Sequence, residues 1–259
     1  MKEKEFKSPN EWQQFCDFIV RTNRYVLNKK WADFIDTILF SSKKRETILE
    51  TGTKLVRARI GSYEEEREEE NGELRILSGP LPPKELMAPP PNKTKDARIN
   101  PRGISYLYLS NSVETAILEV RPWIDQEVSV GYFEIKKDLK CVDTSRDKKG
   151  TFIYLGKGKP NLSQGKKEEY VWGGINSSFS RPVRSEDETI NYIPTQYLSE
   201  FFKTNGYDGI IYKSALTEKG YNIVLFDPKN AVLKGARVFQ IKSIKQTFEE
   251  CDNPYTYKD

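Results

Sequence analysis

Arg98, Tyr108 and Glu119 set a cation, an aromatic face and a carboxylate within a short length of chain. Arg98 sits in the basic, Gly-containing turn Ala97-Arg98-Ile99-Asn100-Pro101-Arg102-Gly103. Tyr108 lies in the apolar strand Tyr106-Leu107-Tyr108-Leu109-Ser110, and Glu119 in the helical turn Thr115-Ala116-Ile117-Leu118-Glu119-Val120. A guanidinium grips phosphate through paired N–H donors. An aromatic ring stacks on a base or ribose, and a single carboxylate stabilises a developing cation. The group suits a charged nucleotide.

The commoner catalytic constellations are missing. The chain has no histidine, which excludes Ser-His-Asp and Cys-His nucleophile systems and any HExxH zinc site. Cys16, Cys141 and Cys251 lie too far apart for a paired metal-ligand spacing, so no metal site is expected. No GxxxxGK[ST] is present: Gly158 and Gly165-Lys166 have the wrong spacing. No GxGxxG follows a strand.

Composition sets the class. Sparse cysteine and the absence of a hydrophobic leader lead us to expect a reduced, cytoplasmic protein. No apolar run approaches the roughly 20 residues of a membrane span. Lys and Arg number 42 against 38 Asp and Glu, a net charge of +4 mixed along the chain, so nucleic-acid binding is not required by electrostatics. With 14 Tyr, 13 Phe and 4 Trp in 259 residues, the chain has material for a large core and is not disordered.

The elements that must position the chemistry fall into an N-terminal helical extension (1–50), a main domain (51–245) and a polar tail (246–259). Ser8-Pro9-Asn10-Glu11 reads as a capping box with Ser8 as N-cap. Trp12, Phe15, Cys16 and Ile19 follow at helical spacing, and Trp31, Phe34, Ile35, Ile38 and Leu39 repeat the stripe. Such stripes are packing faces or partner-binding faces. A third short helix is expected through Thr47-Ile48-Leu49, ending near Gly52.

From Lys54 the texture changes to short strands. Leu55 to Ile60 mixes apolar and basic residues as a half-buried strand does. Within it Arg57 and Arg59 share a face, so one can bind a ligand while the other pairs with a carboxylate. Glu64 to Glu70 reads as a solvated loop or helix face. The proline-dense Pro80 to Pro91 reads as an extended loop over the site, or as an SH3-type ligand. Val128–Ile135, Leu139–Val142, Gly209–Tyr212 and Tyr221–Phe226 are further strands. Asp147 to Glu169 reads as a polar loop. Pro194-Thr195-Gln196 opens a helix with Leu198, Phe201 and Phe202 inward, ending at Gly206. The sum is an α+β protein.

Every candidate residue also has a plain structural reading. Arg98 can be a turn arginine in a surface ion pair, and Tyr108 a core residue. Ser214 can end a strand, and Asn222 can bond a turn backbone. Glu119 can be a solvated charge, although its flanks Ala116, Ile117, Leu118 and Val120 are apolar and favour partial burial.

Taken together, Arg98, Asn100, Gly103, Tyr108 and Thr115-Ala116-Ile117-Leu118-Glu119-Val120 resemble the RES domain family. So do Val56-Arg57-Ala58-Arg59, Thr195-Gln196, Asp208-Gly209-Ile210-Ile211-Tyr212-Lys213-Ser214 and Asn222. The resemblance covers roughly residues 50 to 240 and departs at Ala97-Arg98-Ile99, where the family often has Gly-Arg followed by an aromatic. It implies a fold similar to ADP-ribosyltransferases, NAD+ as substrate, and in many members a toxin role with a helix-turn-helix antitoxin as partner. The family's naming Arg, Glu and Ser look like Arg98, Glu119 and Ser214. With Tyr108 these are the expected catalytic residues, and Arg57, Arg59, Asn100, Gln196 and Asn222 the expected NAD-binding ones. Three functions follow as expectations: an NAD+ glycohydrolase or phosphorylase, an ADP-ribosyltransferase acting on a protein or nucleic acid, or a nucleotide-binding module without turnover.

Overall fold

The computed structural model describes residues 4–68, 74–146, 162–181, 189–245, 247, 248 and 250. Two helices, α1 (Glu11–Arg21) and α2 (Lys29–Ser42), come first. Strands β1 (Glu46–Leu49), β2 (Lys54–Ile60), β3 (Tyr63–Glu68) and β4 (Leu74–Gly79) follow. A one-turn helix α3 (Pro83–Leu86) leads to β5 (Leu107–Ser110) and α4 (Val113–Val120). Next are β6 (Glu127–Ile135), β7 (Leu139–Asp143), α5 (Gln164–Ser180) and α6 (Ile193–Thr204). Strands β8 (Gly209–Lys213), β9 (Tyr221–Leu225) and β10 (Ala231–Gln240) close the order. The class is α+β with a helical N-terminus.

Eight strands form one sheet in the order β1-β7-β8-β9-β5-β2-β6-β10, and β3 and β4 form a separate hairpin. All neighbours in the large sheet are antiparallel except β7 and β8. A parallel pair needs a long crossover, and the connection from β7 to β8 carries α5 and α6. The sheet is nearly divided: β2 and β5 meet at the single pair Val56↔Ser110.

Registered partners point to the same side of a sheet. The row Val142, Ile210, Val224, Tyr108 therefore faces one side, where it joins a core containing Trp12, Phe15, Trp31, Phe34, Trp172 and Phe202 from α1, α2, α5 and α6. The next row on that side is Tyr212, Asn222, Ser110 and Val56. On the opposite side Leu55, Leu107, Leu225, Phe133 and Cys141 form a second core. A third, with Val56, Ala58, Ala116, Val128 and Val130, lies beneath α4.

The two N-terminal stripes are packing faces. Phe15 lies 5.7 Å from Trp31, 5.5 Å from Phe34 and 5.7 Å from Tyr197 between ring centroids. Each such ring removed from water contributes about 1.5–3 kcal/mol. Two indole N–H groups fasten α1 and α2 to α5: Trp12 Nε1 donates to Ser178 Oγ at 2.9 Å, and Trp172 Nε1 to Ser41 Oγ at 3.0 Å.

Several local expectations are corrected. Residues 46–49 form strand β1, paired with β7, instead of a third helix. Gly52, at φ +83°, belongs to the turn that leads into β2. The N-cap of α1 is Asn10, not Ser8, although Glu11 Oε2 does reach back to the Lys7 and Ser8 N–H groups at 2.7 and 3.4 Å. The acidic Tyr63–Glu68 segment is a strand held by Leu74–Gly79. The proline-dense segment contains α3 and a 3₁₀ turn at Pro91–Lys93. Gln164 to Glu169 opens α5 behind its N-cap Ser163, and residues 147–161 of the expected loop lie outside the described residues.

Candidate active site

The turn that presents Arg98 is closed by its own backbone, through Ala97 N–H to Asn100 O at 2.9 Å, and by Gly103 at φ +87°. Asn100 is only 2% exposed. Its Nδ2 donates to the Lys95 and Pro101 carbonyls at 3.1 and 3.2 Å, and its Oδ1 accepts from the Tyr108 hydroxyl at 2.7 Å. The Tyr108 oxygen in turn accepts from Ile99 N–H at 3.3 Å. From α6, Thr195 Oγ1 donates to Arg98 O, and Gln196 Nε2 to Ala97 O and Asn100 O at 2.9 and 3.1 Å. Asn100 and Gln196 thus direct their amides into the turn and hold its shape.

So held, Arg98 sends Nη1 to Phe179 O in the last turn of α5 and hydrogen-bonds the Tyr212 phenol. A helix C-terminus has free carbonyls and partial negative charge, which suits a cation. Tyr212 is 4% exposed. Burial pushes its phenol well above the ordinary range; Arg98 pulls it down and Glu119 pushes it further up. The phenol is neutral and lies within the fields of both charges.

Glu119 rides on the last turn of α4. Ser112 caps that helix by accepting from Thr115 N–H at 3.1 Å, and Arg121 ends it at φ +50°. One carboxylate oxygen, Oε1, accepts from Ser214 Oγ at 2.9 Å and from Asn222 Nδ2 at 2.7 Å. Both donors are neutral. Asn222 is itself tied back, its Oδ1 accepting from Ser110 Oγ at 2.7 Å. Ser214 stands just beyond β8, where its N–H bonds Gly220 O at 2.9 Å and its Oγ accepts from Leu216 N–H at 3.1 Å.

Arg57 lies where the sheet divides, with Nη1 on the Tyr108 carbonyl at 3.0 Å. Burial, and then the neighbouring Arg59, push its guanidinium down to about 10, while Tyr108 acts in the other direction. Burial likewise lowers Arg59, opposed by Glu85. Strand alternation sets Arg57 and Arg59 on the side of Leu55, away from Ser110 and Asn222. The Nε atoms of Arg57, Arg59 and Arg98 are all buried without a hydrogen-bond partner. Buried donors left unpaired are costly, and an anion would satisfy them.

The structure therefore builds two hydrogen-bonded groups, the Arg98 turn with Asn100, Tyr108 and Gln196, and Glu119 with Ser214 and Asn222, and sets the Tyr212 phenol within the fields of Arg98 and Glu119. Arg57 touches the set at the Tyr108 carbonyl, and Arg59 faces Glu85. Sequence reasoning missed Tyr212, Ser110 and the Phe179 carbonyl. Strand parity with Asn222 is the signal that could have found the first two. Among the described residues no group of His, Cys, Asp or Glu could hold a metal ion, and no helix is long and apolar enough to cross a membrane.

A search of curated proteins returns no match. Among solved structures, the MbcT–MbcA toxin–antitoxin complex of M. tuberculosis is similar at 12% identity and a TM-score of 0.46, over 83% of this chain and 94% of that one. Residues 75–244 match the family model described as the RES domain. That span is well over half of the chain and takes in Arg98, Tyr108, Glu119, Ser214 and Asn222, and on it the chain belongs to the RES domain family.

Proposed function

We propose that this chain consumes NAD+ by breaking the bond between nicotinamide and ribose, with water or phosphate as acceptor, and acts as a toxin or defence effector. The observation that carries the reading is the Glu119 carboxylate, held on one oxygen by two neutral donors, with the Arg98 guanidinium, its Nε unpaired, on the other side of the Tyr212 phenol. When the C1′–N bond breaks, its electron pair returns to the pyridinium nitrogen, and nicotinamide leaves neutral without a general acid. The second carboxylate of an ordinary glycosidase is therefore unnecessary. What needs stabilising is the oxocarbenium-like ribosyl cation, which a fixed carboxylate does electrostatically. The acceptor oxygen then attacks C1′ and its proton passes to Glu119 or solvent.

Arg98 and Arg57 are the natural partners of the diphosphate. Tyr108 supplies the aromatic wall. Ser214 and Asn222 aim the carboxylate, and Asn100 and Gln196 keep the Arg98 turn in shape. A cytoplasmic protein of this activity would need restraint, and a helix-turn-helix antitoxin is the partner that the family resemblance implies.

The test is mass spectrometry of products from NAD+ in phosphate buffer. Nicotinamide with ADP-ribose indicates hydrolysis, and nicotinamide with a phosphorylated ADP-ribose indicates phosphorolysis. A labelled macromolecule formed in cell extract would instead indicate transfer. NAD+ left intact would sink the reading. Glu119→Gln should lower turnover by about 10²–10³, and near-wild-type turnover would remove Glu119 from its assigned role.

A further inference from the structure

Asn222 and Ser110 are directly opposed on β9 and β5, and both are nearly inaccessible to solvent, at 4% and 5% exposure. A carboxamide has almost the same shape when turned over, with Oδ1 and Nδ2 exchanged. In one orientation Nδ2 donates to Glu119; in the other a carbonyl oxygen would confront a carboxylate oxygen, acceptor against acceptor. The productive orientation turns Oδ1 away from Glu119 into the sheet, where it needs a donor of its own. The Ser110 hydroxyl supplies it at 2.7 Å. We propose that Ser110 is a positioning residue of the catalytic site: through Asn222 it fixes Glu119 so that Oε1 is fully occupied and Oε2 is the oxygen that faces the reacting sugar.

The proposal rests on the NAD+-cleaving reading for its consequence and on the hydrogen-bond chain for its existence. The chain runs Ser110 O–H to Asn222 Oδ1, then Asn222 Nδ2–H to Glu119 Oε1. Donation to the amide oxygen polarises the amide and strengthens the bond it gives, so the two links reinforce one another. Ser214, in the connection from β8 to β9, provides the second donor to the same oxygen, so Oε1 is held by two residues of one hairpin. Without Ser110 the buried Oδ1 is unsatisfied, and Asn222 gains a reason to turn or withdraw.

In nicotinamide-release kinetics Ser110→Ala should lower kcat by about tenfold with KM for NAD+ within about twofold, since the bond acts on orientation of the carboxylate and not on ligand grip. In an Asn222→Ala background the same change should alter kcat less than about twofold, because the residue acts through Asn222. Wild-type kcat in Ser110→Ala, or a full tenfold loss in both backgrounds, overturns the proposal. Ser110→Thr and Ser110→Val guard against misfolding. They match in shape and differ in the hydroxyl, so Thr should exceed Val by about tenfold, and equality overturns the proposal.

A second measurement is independent of turnover. The Asn222 side-chain amide signals in nitrogen-15 NMR should shift in both Ser110→Ala and Glu119→Gln, and signals unmoved by either change overturn the proposal. If those signals respond while the wild-type protein releases no nicotinamide, the reading of the reaction fails and the positioning role stands.

Discussion

Arg57→Met separates the cost of a buried cation from its use. The Arg57 guanidinium is pushed down from the ordinary arginine range to about 10, chiefly by burial and then by Arg59. At 1.36 kcal/mol per pH unit, keeping it charged costs the folded state on the order of 3 kcal/mol. Its bond to the Tyr108 carbonyl offsets roughly 1.5–3 kcal/mol of that. Methionine keeps the unbranched stem and removes both charge and bond. The ligand-free variant should therefore be between equal to wild type and about 1.5 kcal/mol more stable, a rise in Tm of at most roughly 6 °C. The sign with pH follows from proton binding. Below pH 10 both folded and unfolded chains hold the proton and the full cost is present. Above about pH 10, up to the ordinary arginine range, only the unfolded chain holds it, so stability rises with pH there. Wild type should show this gain relative to Arg57→Met. The assay is thermal melting with and without NAD+. Saturation at a hundred times Kd stabilises wild type by about 2.7 kcal/mol, and the variant should lose most of that shift. A ligand-free Tm several degrees below wild type, or an undiminished NAD+ shift, would refute the reasoning.

Two glycines test how the helices and sheet hold the site. At Gly174 an added Cβ would sit 2.9 Å from Trp12 Cδ1. Gly174→Ala should loosen α1 from α5 and cost about 1–3 kcal/mol in urea unfolding, with slower nicotinamide release because α5 carries the Phe179 carbonyl that holds Arg98. An unchanged midpoint would show that the helices part without strain. At Gly209 the added Cβ would meet the Val224 carbonyl oxygen at 2.4 Å and Cys141 Sγ at 3.3 Å. That backbone atom cannot swing aside, so Gly209→Ala should cost about 3 kcal/mol or more; a variant melting with wild type would contradict this register.

Much of the scaffold was legible because it repeats. The Trp12 and Trp31 stripes, the β6, β8 and β9 strands and the helix opened by Pro194 all carry the spacing of their element. Strand β1 was not legible. Four residues are too few to show a period, and the partner that makes them a strand, β7, is far away in the chain. Strand β3 was hidden by its glutamates, which disfavour strands intrinsically, and its pairing with β4 makes it a strand. At the site, residue types pointed to Arg98 and Glu119, but a sequence does not say which way an amide turns. Asn100 and Gln196 are good ligands by type, yet they face the Arg98 turn. Ser110 reads in the sequence as the end of the Tyr108 strand, and its link to Asn222 follows from β9 lying opposite it.

The groups that aim Glu119 come much later in the chain: Ser214 is 95 residues downstream and Asn222 is 103. At synthesis rates of about 5–20 residues per second, the carboxylate leaves the ribosome roughly 5–20 s before its donors do. A growing or prematurely ended chain thus carries the cation and the anion without the hydroxyl and amide that orient them. If the chain cleaves NAD+ as proposed, translation itself delays that activity until β9 has been added, and a product interrupted before Ser214 lacks both donors to Glu119.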